Sequence, residues 1–213
     1  MPDFKPFQTV SGRFEGKDFD SISSLTLLKQ VHGDRVHLIY SSSERESIHL
    51  QEGDAIVCTV KDFPIAVKTA DCVPILIAHP DGVIAAVHAG WRGTRLKILE
   101  KTLLKIRNDL KKDLSLVHVA MGPSICGTCY EVGEEVAKEF EKSYLVEKEN
   151  DKFLLNLKQV NADMAELLGV PKKQITIFED CTLCMNDEYY SYRHECQKGL
   201  NKAGRNYSWI KIL

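Results

Sequence analysis

The first half of the chain carries short apolar and β-branched runs that are separated by turn residues, a pattern typical of β-strands. These runs predict strands at Val36–Tyr40, Ala55–Val60, Ile65–Thr69, Val73–Ala78 and Val83–His88. Between the last two runs, His79–Gly82 has proline at the second turn position and glycine where a positive φ is favoured. We therefore expect these two strands to form an antiparallel hairpin.

From Arg92 onward the apolar residues take helical spacing. They recur every three or four positions, which predicts one amphipathic helix of about five turns: Leu96, Leu99, Leu103, Ile106 and Leu110. The same argument predicts a helix over Glu131–Phe140 and another around Val160–Leu168, with the charged segment Glu141–Lys152 as an exposed loop.

The second half also contains three further apolar runs that predict strands: Leu116–Met121, Gln174–Phe178 and Asn206–Leu213. The chain shows no internal repeat, low-complexity tract or linker-like composition. The pattern as a whole predicts a single α+β domain over residues 1–213, in which a mixed or antiparallel sheet core of the sandwich type carries flanking helices.

Composition excludes several classes of partner and leaves others open. The chain has 213 residues, 27% of them charged, and a formal charge of −2, so it lacks the basic field that binds nucleic acid. We find neither a signal peptide nor an apolar run near the roughly 20 residues that span a membrane, which predicts a cytoplasmic protein. Seven cysteines, an odd number, indicate thiols, metal ligands or a nucleophile rather than disulfides.

The most reactive side chains stand at the open end of the predicted hairpin. Cys72 and His88 fall within one or two residues of register and on the same face. They suit a nucleophile with its base, or two ligands of one metal. A buried thiol beside a hydrogen-bonded histidine is an equally open interpretation. His32 is a third candidate, although a lone histidine before a turn is more often ordinary.

The residues after His88 form a glycine-bracketed turn between a strand and a helix. In such a turn, backbone N–H groups can hold an anion. Arg92 adds a positive charge there, and Trp91 offers a flat face for a planar ring. A solvated arginine and a core tryptophan are the alternatives.

Two C-x-x-C pairs lie further along the chain, at Cys126–Cys129 and Cys181–Cys184. At ordinary spacing they would indicate a structural zinc site. About fifty residues separate the pairs, far more than in a zinc ribbon. We therefore favour reduced thiols near the site or in the core over a second zinc.

A series of short motifs extends from Gln30 to the C-terminus. In order, they are Gln30–Gly33, Asp54–Ala55, Thr69–Pro74, His88–Gly93, Gly122–Ile125, Tyr130–Val132, Cys181–Thr182, Ser191–Arg193 and Gly204–Arg205. Their content and order resemble the multicopper polyphenol oxidoreductase, or laccase-domain, family. Members of that family are regarded as purine nucleoside phosphorylases with adenosine deaminase activity.

The resemblance implies a zinc ion, with copper as the other metal to consider, held by His32, Cys72 and His88. Three protein ligands would leave a fourth position for water or substrate, as in catalytic zinc sites. Asp71, next to Cys72, is the group that we expect to move the proton.

The substrates that the resemblance implies are small molecules. They are phosphate and a purine nucleoside: adenosine, inosine or S-methyl-5'-thioadenosine for phosphorolysis, and adenosine for deamination. The residues expected to bind them are Trp91, Arg92, Gly93, Tyr130 and Arg205. Residues 1–29 form a shorter segment than the one that usually precedes these motifs in the family. Because that segment is expected to help form the nucleoside pocket, we expect part of the pocket to be missing.

Two other enzyme classes remain as alternatives. One is a copper-dependent polyphenol oxidase, although the chain has no H-x-H pair of the kind that a multicopper site uses. The other is a cysteine hydrolase or amidase in which Cys72 is the nucleophile and His88 the base.

Overall fold

The structure is a computed structural model that describes residues 1–17, 24–200 and 203–213. Residues 18–23, part of the predicted N-terminal segment 1–29, lie outside the described residues. The strands are β1 Asp3–Phe4, β2 Val10–Glu15, β3 Val36–Ile39, β4 Ala55–Cys58, β5 Ile65–Thr69, β6 Val73–His79, β7 Val83–Ala89, β8 His118–Met121, β9 Glu131–Gly133, β10 Leu145–Glu147, β11 Lys152–Leu155, β12 Ile175–Ile177 and β13 Asn206–Ile212. The helices are α1 Arg45–Ile48, α2 Trp91–Arg95, α3 Ile98–Asn108, α4 Glu134–Ala137, α5 Leu157–Leu167 and α6 Tyr192–Gln197.

The centre of the fold is a six-stranded mixed sheet in the order β12-β8-β6-β7-β4-β3. Its middle is the hairpin of β6 and β7, which pair antiparallel with Val73 opposite Ala89. Every residue of both strands is buried, because successive side chains point to opposite faces and both faces are covered. The predicted hairpin is confirmed, and its two strands are buried along their whole length.

Different layers cover the two faces of this sheet. Ile75 and Ile77 of β6 belong to the cluster that includes Leu99 and Leu103 of α3. Leu76, which points the other way, packs with residues of the four-stranded antiparallel sheet β1-β2-β13-β5. The predicted α+β class with a sandwich-like sheet core and flanking helices is therefore confirmed.

The single helix predicted from Arg92 to Leu110 is wrong, because the structure has two helices there. α2 ends at Arg95, and Lys97 then adopts a left-handed backbone with φ 63° before α3 begins. Leu96, at the break, is 40% exposed. The break redirects the chain so that α3 lays its apolar face on the sheet, which helical spacing alone does not reveal.

Backbone pairing also changes the next segment. The predicted helix over Glu131–Phe140 contains α4 alone, since its first three residues form β9, which pairs with β11. The predicted loop over Glu141–Lys152 contains β10 and the start of β11, which pair antiparallel. The hydrogen bonds between these strands outweigh the helical spacing of Val132, Val136 and Phe140.

The helices of the described residues are short. α3 and α5 have 11 residues each, whereas a membrane-spanning helix needs roughly 20. Within the described ranges, none is long and apolar enough to cross a bilayer.

Candidate functional site

Three side chains with metal-binding atoms meet at the open end of the hairpin. His88 lies opposite Pro74 in the β6–β7 ladder, so Cys72, two residues before Pro74, has its side chain on the same face. His32 comes from the loop before β3, and its ring lies 4.7 Å from that of His88, centroid to centroid. The ligand atoms of His32, Cys72 and His88 all lie within 4.8 Å of one another.

Gly90 leaves the space that this arrangement needs. A Cβ atom at Gly90 would lie 2.9 Å from Cys72 Sγ and 3.3 Å from His32 Cδ2. The backbone of Gly90 has φ −75°, which any residue can adopt. The position therefore requires glycine because of its neighbours rather than its conformation.

We expect Gly90→Ala to lower catalytic efficiency about 10- to 100-fold, because displacing a reacting group by even about 1 Å has effects of that size. Metal content per chain should fall in parallel. The matched comparison is Gly33→Ala, whose Cβ would meet its nearest neighbours, Asp54 Oδ2 and Val31 Cγ2, at an ordinary 3.5 Å. Equal kinetics and metal content in the two variants would contradict this steric argument.

Asp54 holds two of the three groups in place. Its fully buried carboxylate accepts hydrogen bonds from His88 Nδ1 at 2.7 Å and from the backbone N–H of His32 at 2.9 Å. The N–H groups of Val31 and Gly33 donate to its other oxygen. One carboxylate thus fixes the ring of His88 and the loop that carries His32.

These contacts define the protonation pattern of the site. Burial acts to raise the pKa of Asp54, but the hydrogen bonds from His88 and Gly33 lower it below its usual value. An ionised carboxylate only accepts hydrogen bonds, so His88 donates from Nδ1. Its Nε2 is then the atom available to Cys72 and His32, which is how metal-binding histidines are commonly oriented.

Cys72 and His88 also affect each other's charge. Burial acts to raise the pKa of the Cys72 thiol, but His88 and His32 lower it to about 6. Burial acts to lower the pKa of His88, but the charge of Cys72 and the hydrogen bond to Asp54 raise it to about 9. The site therefore favours the thiolate, the form that binds metals and attacks electrophiles.

Asp71 lies beside the cluster with its carboxylate firmly held. Its two oxygens accept hydrogen bonds from Thr182 Oγ1 and from the backbone N–H of Arg193, both at 2.7 Å. The backbone N–H of Ile125 donates to the carbonyl of Asp71. These contacts hold Asp71 at φ 87°, a rare backbone conformation for a residue other than glycine.

A cavity of about 600 Å³ opens over the three ligand residues, within the size range of small-molecule sites. Its lining is Gln30, His32, Lys68, Thr69, Ala70, Asp71, Cys72, His88, Trp91, Arg92, Ile125, Tyr130, Leu157, Tyr192, Arg193 and Arg205. All but one of the candidate site residues are among them. The exception is Gly93, which is buried and packs beneath the site, where a Cβ would lie 3.1 Å from the Gly33 carbonyl oxygen.

Most of the charged side chains in the cavity wall are positive. The lining includes Arg92, Arg193, Arg205 and Lys68, whereas Asp71 is the one acidic side chain among the described residues that line it. Arg92 lies over the Trp91 ring, with Cζ 4.7 Å from its centroid. Such a wall suits an anionic ligand.

Sequence reasoning assigned no role to Gln30, Lys68 or Arg193. The Gln30 side chain exchanges two hydrogen bonds with the backbone of Lys68, at 2.7 and 2.9 Å. This pairing ties the loop before His32 to β5. The motif containing Gln30 was visible in the sequence. Its hydrogen-bond partner, Lys68, is 38 residues away, and no local pattern identifies that pairing.

Arg193 contacts two parts of the wall. Its guanidinium lies 5.7 Å from the centroid of the Tyr130 ring and donates to the Glu131 carbonyl at 2.8 Å. Burial, followed by the charge of Cys72, raises the pKa of Tyr130 to about 12. Tyr130 is therefore a neutral phenol at physiological pH, able to donate a hydrogen bond into the cavity.

The chain is similar to known proteins over most of its length. Residues 16–213 match the family described as multi-copper polyphenol oxidoreductase laccase. A purine nucleoside phosphorylase of Bacteroides thetaiotaomicron is 34% identical over 83% of this chain and 66% of its own length. An adenosine deaminase called RL5, from an unknown prokaryotic organism, is 32% identical over 92% of this chain and 76% of its own.

A solved structure has the same fold. The crystal structure of the Bacillus licheniformis hypothetical protein YfiH superposes with a TM-score of 0.83 and 24% identity. The match covers 89% of this chain and 74% of that protein.

Proposed function

The chain belongs to the multi-copper polyphenol oxidoreductase laccase family of enzymes, and on that premise we propose that it acts on purine nucleosides. The observation that carries the proposal is the composition of the cavity. The metal-binding atoms of His32, Cys72 and His88 lie in the same cavity as a group of cationic side chains, the indole of Trp91 and the phenol of Tyr130. The activities are phosphorolysis of adenosine, inosine or S-methyl-5'-thioadenosine, and deamination of adenosine. Relatives named for phosphorolysis and for deamination support this choice.

His32, Cys72 and His88 fit a zinc ion by the chemistry of their donor atoms. One thiolate and two imidazoles suit zinc, and copper accepts the same donors. The orientation of His88 by Asp54 and the close packing of Cys72 and His32 against Gly90 support this assignment. A zinc ion held there would supply Lewis-acid chemistry at its open coordination position.

The protein's own groups have separate tasks. Trp91 offers a face for the purine ring, and Tyr130 donates a hydrogen bond. Arg92, with Arg193 nearby in the lining, neutralises phosphate. Asp71 is proposed to carry the proton, since each of its oxygens keeps a lone pair beyond the hydrogen bond it accepts.

The two reactions place different demands on the cavity. In phosphorolysis a phosphate oxygen bonds to the anomeric carbon of the ribose, the glycosidic bond breaks, and the leaving base takes up a proton. In deamination water adds to C6 of adenine and ammonia leaves. The cationic residues therefore matter for the first reaction, whereas both reactions need the purine to be held.

The test is to incubate the zinc-loaded chain separately with adenosine, inosine and S-methyl-5'-thioadenosine, with and without phosphate, and to separate the products by chromatography. With adenosine the products distinguish the two activities. Adenine with ribose-1-phosphate, formed only when phosphate is present, supports phosphorolysis, and inosine supports deamination. Absence of turnover with all three nucleosides, in protein shown to contain metal, would refute the proposal.

Replacing Arg92 with glutamine should separate the two activities. We expect the KM for phosphate to rise roughly 10- to 100-fold, the scale of one lost charged hydrogen bond, while the rate of adenosine deamination changes much less. Arg95→Gln is the matched control, because Arg95 pairs with Glu139 at 2.7 Å and does not line the cavity. Equal losses of both activities in Arg92→Gln would count against a phosphate role.

A cysteine hydrolase is the second candidate, favoured by the lowered pKa of Cys72 beside His88. In that reaction Cys72 Sγ bonds to an amide carbonyl carbon, the amine leaves with a proton from His88, and water hydrolyses the thioester. A covalent adduct on Cys72 with an electrophilic amide, accompanied by chelator-resistant turnover, would favour it over the purine enzyme.

A further inference from the structure

A second sulfur cluster lies outside the site described above. Cys126, Cys129, Cys181 and Cys184 come from two turns that are far apart in sequence, yet their four Sγ atoms all lie within 4.8 Å of one another. Cys129 Sγ and Cys184 Sγ are 3.4 Å apart. Cys181 is buried, Cys184 is exposed, and the other two are partly buried. The distance along the chain, which argued against a shared site, does not keep these residues apart.

The separations of the four sulfurs are compatible with a tetrahedral zinc thiolate. A zinc–sulfur distance of about 2.3 Å places the sulfurs of a regular tetrahedron about 3.8 Å apart. The Cys129–Cys184 separation of 3.4 Å and the upper limit of 4.8 Å for all pairs lie on either side of this value. Four thiolates complete the coordination, which is the pattern of a structural rather than a catalytic site.

Contacts around the cluster stabilise one of its sulfurs and fix the position of both turns. The N–H of Cys126 donates to Cys181 Sγ at 3.3 Å, a hydrogen bond that favours a charged sulfur. Gly127 packs closely on Asn156, where a Cβ would lie 2.8 Å from the Asn156 Cβ, which holds the first turn against the start of α5. Lys158 donates to the carbonyls of Phe178 and Asp180, which fixes the segment leading into the second turn.

The two turns also support the wall of the cavity. Ile125 and Tyr130 flank the first turn, and both line the cavity. Thr182, inside the second turn, donates to the carboxylate of Asp71 at 2.7 Å. A link between the turns would therefore hold two parts of the wall at a fixed separation.

We propose that Cys126, Cys129, Cys181 and Cys184 bind a structural zinc ion that clamps the two turns together beneath the cavity. On binding, the thiols release their protons and the four sulfurs coordinate the metal. The Cys129–Cys184 contact alone would also suit a disulfide, but a disulfide would leave Cys126 and Cys181 without a role in the cluster. This proposal is independent of the function of the cavity.

The first test compares zinc per chain in purified proteins by mass spectrometry of the metal. Cys129→Ser/Cys184→Ser should hold about one zinc fewer than wild type, because two of four ligands are lost. Cys196→Ser, which removes a thiol outside both clusters, should match wild type. Unchanged zinc in the double variant, iron in place of zinc, or a Cys129–Cys184 disulfide in metal-free wild type would overturn the proposal.

A second measurement does not depend on how that variant folds. His32→Ala/His88→Ala disables the other donor set and keeps all four cysteines, and it can be loaded with cobalt. Intense thiolate-to-cobalt charge transfer with visible tetrahedral bands is expected. A spectrum of hexahydrated cobalt would overturn the proposal.

Discussion

Cys72→Ser should lose catalytic efficiency by more than about 100-fold and should no longer bind zinc at the site proposed for His32, Cys72 and His88. A serine hydroxyl keeps the size of the side chain, but it does not ionise near neutral pH and is a poor zinc ligand. The loss should exceed the roughly 10- to 100-fold typical of residues that only support a ligand. The measurements are steady-state kinetics with adenosine and phosphate, and zinc content.

The control for Cys72→Ser is Cys58→Ala. Cys58 is buried in the core opposite Ile84, at the turn end of the hairpin rather than its open end. Burial raises its pKa to about 11, so it is an inert thiol. This variant should keep wild-type kinetics. Chelation of wild type should abolish turnover and zinc should restore it, so chelator-resistant activity in wild type would contradict a metal role for Cys72.

Asp54→Asn is expected to weaken zinc binding and lower catalytic efficiency about 10- to 100-fold, although Asp54 does not line the cavity. Its two oxygens both accept hydrogen bonds, from His88 and His32 on one side and from Val31 and Gly33 on the other. Asparagine has one oxygen. If the NH₂ group of this asparagine faces His88, the ring proton of His88 moves to Nε2, the atom proposed to bind zinc. If the NH₂ group faces the N–H groups of Val31 and Gly33 instead, these hydrogen-bond donors oppose one another and the loop that carries His32 loses two hydrogen bonds.

Zinc affinity measured by competition with a chromophoric chelator checks this prediction, together with kcat/KM. The matched control is Asp81→Asn, which removes an exposed carboxylate that pairs with Lys112 in the hairpin turn. Zinc affinity in Asp54→Asn within about twofold of wild type would show that the orientation of His88 does not depend on this carboxylate.

The hairpin is the part of the site that local sequence could predict. Val73–His79 and Val83–Ala89 are apolar throughout apart from their histidines, and the turn between them contains proline and a glycine at φ 72°. Register then follows from loop length, so the convergence of Cys72 and His88 could be expected. Apolar runs and turn chemistry are local properties, which is why they can be recognised in a single sequence.

The supporting residues could not be predicted in the same way. Asp54 was visible as a motif residue, but its hydrogen bond to His88 spans 34 residues. Gln30 pairs with Lys68, and Thr182 reaches Asp71 over 111 residues. Such contacts depend on how strands and loops are placed in space, and no periodicity records them.

The sequence by itself determined the buried apolar strands of the hairpin, the turn between them, and a set of motifs typical of one enzyme family. Only the tertiary structure decided where α2 gives way to α3, that Glu131–Gly133 forms a strand, and that four distant cysteines share one cluster. The reason is physical: local patterns define which face of an element is apolar. Backbone pairing and packing between distant segments define which elements form and which side chains meet.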